Sequence, residues 1–264
     1  MKILVTGGKG FIGSHLVKEL RKRHNVLIFD VKNKRNEDVR NLEYLLKVSK
    51  NVDVIVHLAA LSVDPDSIKK PWEYLTTNIL STINVLETGR RLGIKKIIFT
   101  SSAATSSTTP YGISKLHGEQ LCEIYSKLYK MNVIIVKIYN VYGEGNTKGV
   151  IKEFLERIIK NKPLIVHGKG EYVRDYIHVR DVVKTIIKFI EKNCKSGVYE
   201  VGTGIGTSLN ELIEILKEVT DKKIKVKYEK CYYDRIKYSV ATNTCVKNPT
   251  KLIEGLRELW RKSL

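Results

Sequence analysis

The chain has 264 residues, with 47 Lys and Arg against 28 Asp and Glu, a formal net charge of +19 and 42% hydrophobic residues. This composition supplies a sizeable core and excludes disordered and collagen-like chains, while no apolar run approaches the roughly 20 residues that cross a bilayer. The positive charge is spread along the chain without a long block of like sign, which favours a solvated basic surface over a nucleic-acid footprint.

The first half alternates short β-branched runs with longer helical patterns, as a parallel sheet wrapped by helices does. Strands are expected at 2–6, 25–30, 52–59, 95–100 and 132–138. Each is almost continuously apolar, as in Val54-Ile55-Val56 and Ile134-Ile135-Val136, which marks strands buried on both faces. Helices are expected at about 11–23, 72–92 and 111–130. After Ile138 the pattern loosens: Gly143-Glu144-Gly145 and Gly168-Lys169-Gly170 flank a helix near 150–161, and Pro163 opens a short strand. The stretch 179–204, a helix followed by a strand at 197–201, reads again like part of the sheet. The expected fold is therefore α/β, a Rossmann doubly wound parallel sheet (1–140 plus about 176–206) with a smaller interleaved C-terminal lobe (about 141–175 plus 207–264).

Cys122, Cys194, Cys231 and Cys245 are far apart, form no Cys-x-x-Cys pair and have no His at zinc-ligand spacing. Free thiols and no metal site are expected. The start of the chain runs straight into a glycine turn without the features of a signal peptide, so a cytoplasmic protein with no membrane partner is expected.

That turn is Thr6-Gly7-Gly8-Lys9-Gly10-Phe11-Ile12-Gly13, between the first strand and the first helix. Gly7, Gly10 and Gly13 permit a tight turn, close approach of a pyrophosphate, and close helix–strand packing. The helix N-terminus then offers free N–H groups to phosphate. Asp30 closes the second strand, where a carboxylate accepts both adenosine ribose hydroxyls and repels a 2′-phosphate. NAD is the expected cofactor. Lys32, Lys34 and Arg35 follow closely and are the residues that would favour NADP instead.

Tyr111-Gly112-Ile113-Ser114-Lys115 sets a phenol and an ammonium four residues apart, on one helix face. A neighbouring cation is expected to lower the tyrosine towards working pH and make it a general base. Tyr233 and Lys237 share that spacing, but only Tyr111 follows a strand ending in Thr100-Ser101-Ser102, at the carboxyl edge where open α/β sheets bind ligands. Ser102 would hold a substrate alcohol beside the phenol.

These motifs, with Glu37-Asp38-Val39-Arg40-Asn41, His57-Leu58-Ala59-Ala60, Asn78, Asn140-Val141-Tyr142-Gly143, Arg174-Asp175-Tyr176 and Val201-Gly202-Thr203-Gly204, resemble the extended short-chain dehydrogenase/reductases in their sugar-nucleotide epimerase and dehydratase branch. The resemblance spans nearly the whole chain. It implies that Asp38 and Val39 contact the adenine, that Leu58, Ala59, Ala60 and Asn78 line the cofactor, and that Lys115 also holds the nicotinamide ribose. It further implies Asn140 and Arg174 on the substrate diphosphate, Ile165 and His167 beside its base, and Tyr238 bordering the sugar C2 substituent. A nucleotide-sugar substrate and a homodimer built on 72–92 and 111–130 are implied as well.

Two departures stand out: only eight residues separate Ser102 from Tyr111, where the family has a longer loop, and Cys231 occupies the place of a late substrate-binding arginine, with Lys230 or Arg235 as substitutes. The resemblance implies 4-epimerisation of UDP-glucose and UDP-galactose through a 4-keto sugar. The alternatives within the family are 4,6-dehydration, decarboxylation and 4-keto reduction. Ala103 and Ala104, after Ser102, cannot supply the extra acid and base that dehydration needs. From another class, a non-catalytic dinucleotide sensor or RNA-binding relative is the alternative that the charge suggests.

Overall fold

Strands without a polar face are stable only between two layers of helices, and the computed structural model, which describes residues 1–34, 36–230 and 236–263, has that construction in its first half. In chain order the elements are β1 (Lys2–Thr6), α1 (Phe11–Leu20), β2 (Asn25–Phe29), α2 (Leu42–Val48), β3 (Val54–His57), α3 (Asp64–Lys69), α4 (Pro71–Leu92), β4 (Lys96–Ser102), α5 (Pro110–Tyr129) and β5 (Asn132–Ile138). There follow β6 (Asn140–Tyr142), α6 (Val150–Ile159), β7 (Leu164–His167), β8 (Val173–His178), α7 (Val179–Glu191), β9 (Gly197–Val201), β10 (Gly206–Ser208), α8 (Leu209–Thr220), β11 (Val226–Glu229), β12 (Tyr238–Ser239) and α9 (Leu252–Ser263). A 3-10 turn, Ala103–Ser106, links β4 towards α5.

The chain divides into two units, Met1–Ile138 with Val183–Tyr199, and Tyr139–Val182 with Glu200–Leu264. In the first, a six-stranded sheet runs β2-β1-β3-β4-β5-β9, and its pairs β1–β2, β1–β3, β3–β4 and β4–β5 are parallel. The order reverses between β1 and β3. That reversal opens a crevice at the carboxyl ends of the strands, flanked by the glycine turn after β1 and by residues 58–60 after β3. Leu4, Phe29, Ile55, Val85, Leu86, Ile97, Phe99 and Ile135 are central to the core of this unit.

Two helices of the first unit set the site. Helix α4 starts with Pro71, whose missing N–H costs nothing in the first turn, and stops at Gly93 in the left-handed conformation (φ 63°). Helix α5 is capped by Thr109, whose hydroxyl accepts from Gly112 N at 3.2 Å, and again opens with proline. Its Gly118 lies flat on the sheet: a Cβ there would come within 2.4 Å of Phe99 Cζ.

In the second unit β8 pairs with β6, β10 and β12, and β7 pairs in parallel with β11. Phe154, Leu164, Val166, Leu212, Leu216 and Leu256 form its core. The fully buried Asp175 accepts hydrogen bonds from Thr203 N (2.8 Å), Thr203 Oγ1 (2.6 Å), Gly204 N (2.9 Å) and Ala241 N (3.2 Å). These ties fasten β8, the strand that β6 and β10 pair with, to the segment after β9 and to Ala241.

Gly118→Ala should destabilise the protein by about 1–3 kcal/mol, because the ring of buried Phe99 has to move. Helix propensity alone would favour alanine by about 1 kcal/mol, so a lowered denaturant midpoint isolates the steric effect.

Candidate active site

The glycine turn is dictated by close approach. Gly7 has φ 69°, and a Cβ on it would lie 2.7 Å from Ala59 N; one on Gly13 would lie 2.2 Å from Gly7 O. At Gly10 a Cβ would meet only Gly7 O, at 3.1 Å. Helix α1 begins at Phe11 and Ile12 with no side-chain cap and no acidic residue in its first turn. Its orphan N–H groups and dipole are therefore left for an anion such as pyrophosphate.

Asp30 stands beside this turn. Its Oδ2 accepts from Lys9 N at 2.8 Å and its Oδ1 from Lys32 N at 2.9 Å, while its own N–H donates to the buried Glu37 carboxylate at 3.1 Å. Two backbone donors thus orient the carboxylate and leave acceptor capacity for hydroxyls. Lys32 and Lys34 are exposed, and Arg35 lies outside the described residues. Asp38 is gripped by Arg40 at 2.6–3.1 Å, and that guanidinium holds its carboxyl below the usual range. Val39 belongs to the core, and its carbonyl accepts from Asn84 Nδ2 at 2.9 Å.

On the other side of the crevice Leu58 N donates to Thr6 O (3.1 Å) and Ala59 N to Thr6 Oγ1 (3.3 Å), while Ala60 follows half-buried. Asn78, expected among the cofactor contacts, is 3% exposed. It accepts from Leu61 N at 2.9 Å and donates to Leu61 O at 3.0 Å and to Ser114 Oγ at 2.9 Å. Both of its N–H groups are thereby used inside the protein, so it acts on the crevice by fixing the segment after β3 against α5.

At the end of β4 the Ser102 hydroxyl lies beside the phenol of half-buried Tyr111 and accepts from Ala104 N at 3.1 Å. One turn along α5, Lys115 Nζ donates to Thr100 O at 2.8 Å and lies 5.1 Å from the Phe99 ring centroid. Burial pulls the Lys115 ammonium down to about 8, opposed by Cys122 and Glu119. Burial also raises the Tyr111 phenol above its ordinary value, opposed by the neighbouring Ser102 hydroxyl and aided by Asp64 and Tyr74. The lowering expected from Lys115 is thus overturned by desolvation, since the ammonium is turned to the Thr100 carbonyl.

The second unit carries the other expected residues. Asn140 Nδ2 donates to Asp175 O at 3.3 Å, and Arg174 Nη1 donates to Val173 O at 2.8 Å with its guanidinium 6.0 Å from the Tyr172 ring centroid. Tyr238, 65% exposed, pairs in β12 with Val173, beside Arg174. Ile165 and His167 lie on β7, in the separate two-stranded sheet with β11. Lys230 is exposed, whereas Cys231, Tyr233 and Arg235 lie outside the described residues. Among the described residues no group of three or more His, Cys, Asp or Glu is disposed to hold a metal ion, and no helix is long and apolar enough to cross a membrane.

Residues 3–202 match the model of the NAD dependent epimerase/dehydratase family. The chain belongs to that family. It is 34% identical over 262 residues to a Methanocaldococcus jannaschii protein named "Putative UDP-glucose 4-epimerase", covering 86% of this chain and 85% of that one. The structure of a Thermotoga maritima UDP-glucose 4-epimerase solved with UDP-glucose superposes with a TM-score of 0.90 at 30% identity, covering 100% of this chain and 99% of that one. A Thermus thermophilus UDP-glucose 4-epimerase in complex with NAD gives 0.88 at 26% identity over 100% of both chains. The protein is therefore an enzyme of an NAD-dependent family that acts on nucleotide sugars, and the uncapped α1, the open Gly10 and the oriented Asp30 carboxylate fit that dinucleotide.

Sequence reasoning missed Asp64, Tyr74, Ser107 and Thr109 around Tyr111. Thr109 before Pro110 was legible as a helix cap; Asp64 had no local signal.

In this family member His57, 2% exposed and bonded to Thr6 Oγ1 through Nδ1 at 2.7 Å, is held neutral: burial pushes it down from 6.5 to about 3. The unfolded chain therefore takes up this proton first. The contribution of His57 to stability is complete above about pH 6.5 and falls by about 1.4 kcal/mol per pH unit as pH drops towards 3. An NMR titration of the folded protein should find the His57 ring neutral down to about pH 4.

Proposed function

We propose that the protein is a sugar-nucleotide 4-epimerase that interconverts UDP-glucose and UDP-galactose. The observation that carries this reading is the Ser102 hydroxyl beside the Tyr111 phenol at the carboxyl edge of β4, followed by Ala103 and Ala104. In a 4-epimerase the ionised form of this tyrosine, the phenolate, takes the proton of the C4 hydroxyl, and the phenol so formed later returns it, while Ser102 orients that hydroxyl. NAD, when bound, accepts the C4 hydride and gives it back. Lys115 holds the nicotinamide ribose. The 4-keto sugar turns within the site before it is reduced on its other face. Because Ala103 and Ala104 cannot move protons, the reaction stops at epimerisation rather than continuing to dehydration or decarboxylation.

In this reading the first unit holds NAD, with Gly7, Gly10, Phe11, Ile12, Gly13 and Asp30 on the pyrophosphate and adenosine ribose, Asp38 and Val39 at the adenine, and Leu58, Ala59 and Ala60 along the crevice. The second unit holds the nucleotide sugar: Arg174, whose planar fork matches phosphate oxygens, and Asn140 on the diphosphate, Ile165 and His167 at the base, Tyr238 near the sugar C2. The enzyme works in the cytoplasm as a homodimer. Helices α4 and α5 expose Trp72, Leu80 and Leu92, and Leu116, Ile124, Leu128 and Tyr129, an apolar display that a second copy would cover.

Incubation of the NAD-loaded enzyme with UDP-galactose, without added reductant, should yield UDP-glucose. Tyr111→Phe should lower turnover by about a hundredfold or more with cofactor binding retained. Loss of water or carbon dioxide from the sugar would refute the epimerase reading, and a requirement for free NADH would point to a 4-keto reductase. Salt-sensitive RNA binding without turnover would mark the non-catalytic class.

NAD should bind more tightly than NADP, and Asp30→Asn should narrow the difference, as competitive titration of the two cofactors would read. Light scattering at micromolar concentration should give a dimer, and Leu128→Glu should shift it to a monomer.

A further inference from the structure

The segment between Ser102 and Tyr111 has eight residues, yet it is pinned at several points. Thr109 Oγ1 donates to Asp64 Oδ1, at the start of α3. The same oxygen accepts from Gly112 N (3.2 Å) and pairs with Ser107 Oγ (2.8 Å). Gly112 allows this: a Cβ there would lie 2.2 Å from Ser107 Oγ and 2.3 Å from Ala104 O. The segment thus presses on the first turn of α5, from which the phenol projects. Asp64 is itself seated, since Ser67 Oγ donates to its carbonyl at 2.6 Å and Val63 N donates to the hydroxyl of buried Tyr74 at 3.3 Å.

We propose that Asp64 is a positioning residue for Tyr111: by accepting the Thr109 hydroxyl proton it fastens the short segment 103–109 and the N-terminus of α5 to α3, and so fixes the seat of the phenol. This inference rests on the reading of Tyr111 as the base. The carboxylate also belongs to the electrostatic surroundings of the phenol. These are Asp64 on α3, Tyr74 on α4, Ser102 at the end of β4, and Lys115 on α5, whose ammonium is turned to Thr100 O. Asp64 and Tyr74 add to burial in keeping the phenol protonated, and Ser102 opposes them. Removal of the Asp64 charge therefore lowers the pH at which the phenol ionises, whereas removal of the Thr109 hydroxyl loosens the seat and leaves the charge in place.

The test uses the NAD-loaded protein with 13C at the tyrosine Cζ, the Tyr111 signal being assigned by its loss in Tyr111→Phe. In Asp64→Asn, where an amide oxygen can still accept from Thr109, the Tyr111 signal should titrate at a lower pH than in the unaltered protein. The alkaline-rising limb of kcat with UDP-galactose should move the same way. Thr109→Val should lower kcat by about tenfold or more with KM nearly constant, and Thr109→Ser should restore it. A Tyr111 titration unchanged in Asp64→Asn, or a kcat unchanged in Thr109→Val, would overturn the proposal. If UDP-galactose is not turned over by the unaltered enzyme, the substrate reading fails separately, and the NMR shift still decides the role of Asp64.

Discussion

Helix α5 lies on β4 at a separation that only glycine permits, with Gly118 against the ring of Phe99. From that contact the chemistry of the site follows. A side chain one turn earlier on the same face reaches the end of the strand, so Lys115 finds the Thr100 carbonyl and the Phe99 ring instead of water. One turn earlier again, the Tyr111 phenol meets the Ser102 hydroxyl. A larger residue at position 118 would lift the helix and separate Lys115 and Tyr111 from the strand that orders them.

The same closeness sets the electrostatics. A buried ammonium is costly to charge, and Lys115 responds by falling to about 8. The phenol is pushed the other way, and His57, packed beneath with its ring centroid 6.0 Å from that of Phe99, stays neutral. Burial thus sets the protonation of the groups at this edge, although the chain as a whole carries +19. Most of the ion pairs lie on the surface, as in Lys22–Glu19 and Lys217–Glu214, where each contributes little. The excess charge bears on solubility and encounter rather than on the reaction centre.

The first half of the fold was legible because its signals are local. Strands 2–6 and 132–138 have the bounds read from their apolar runs, and α4 and α5 begin one residue before their expected starts, at proline. The short α2 and α3 escaped notice, since six or seven residues between polar turns carry too little periodicity. The second unit depends on long-range ties such as Asp175 to Thr203, Gly204 and Ala241, which no sequence window contains. The same holds in the site. Spacing put Tyr111 and Lys115 on one helix face, but it says nothing of the desolvation that raises the phenol, and Asp64 reaches Thr109 across 45 residues.

The central claim is that hydride leaves and returns to the same sugar carbon while Tyr111 handles the proton. UDP-galactose carrying deuterium at C4, incubated with the NAD-loaded enzyme and analysed by NMR, tests this in one measurement. The account predicts UDP-glucose with the deuterium still at C4 and none lost to solvent. Deuterium found at C6, washed into water or released on free reduced cofactor would contradict it.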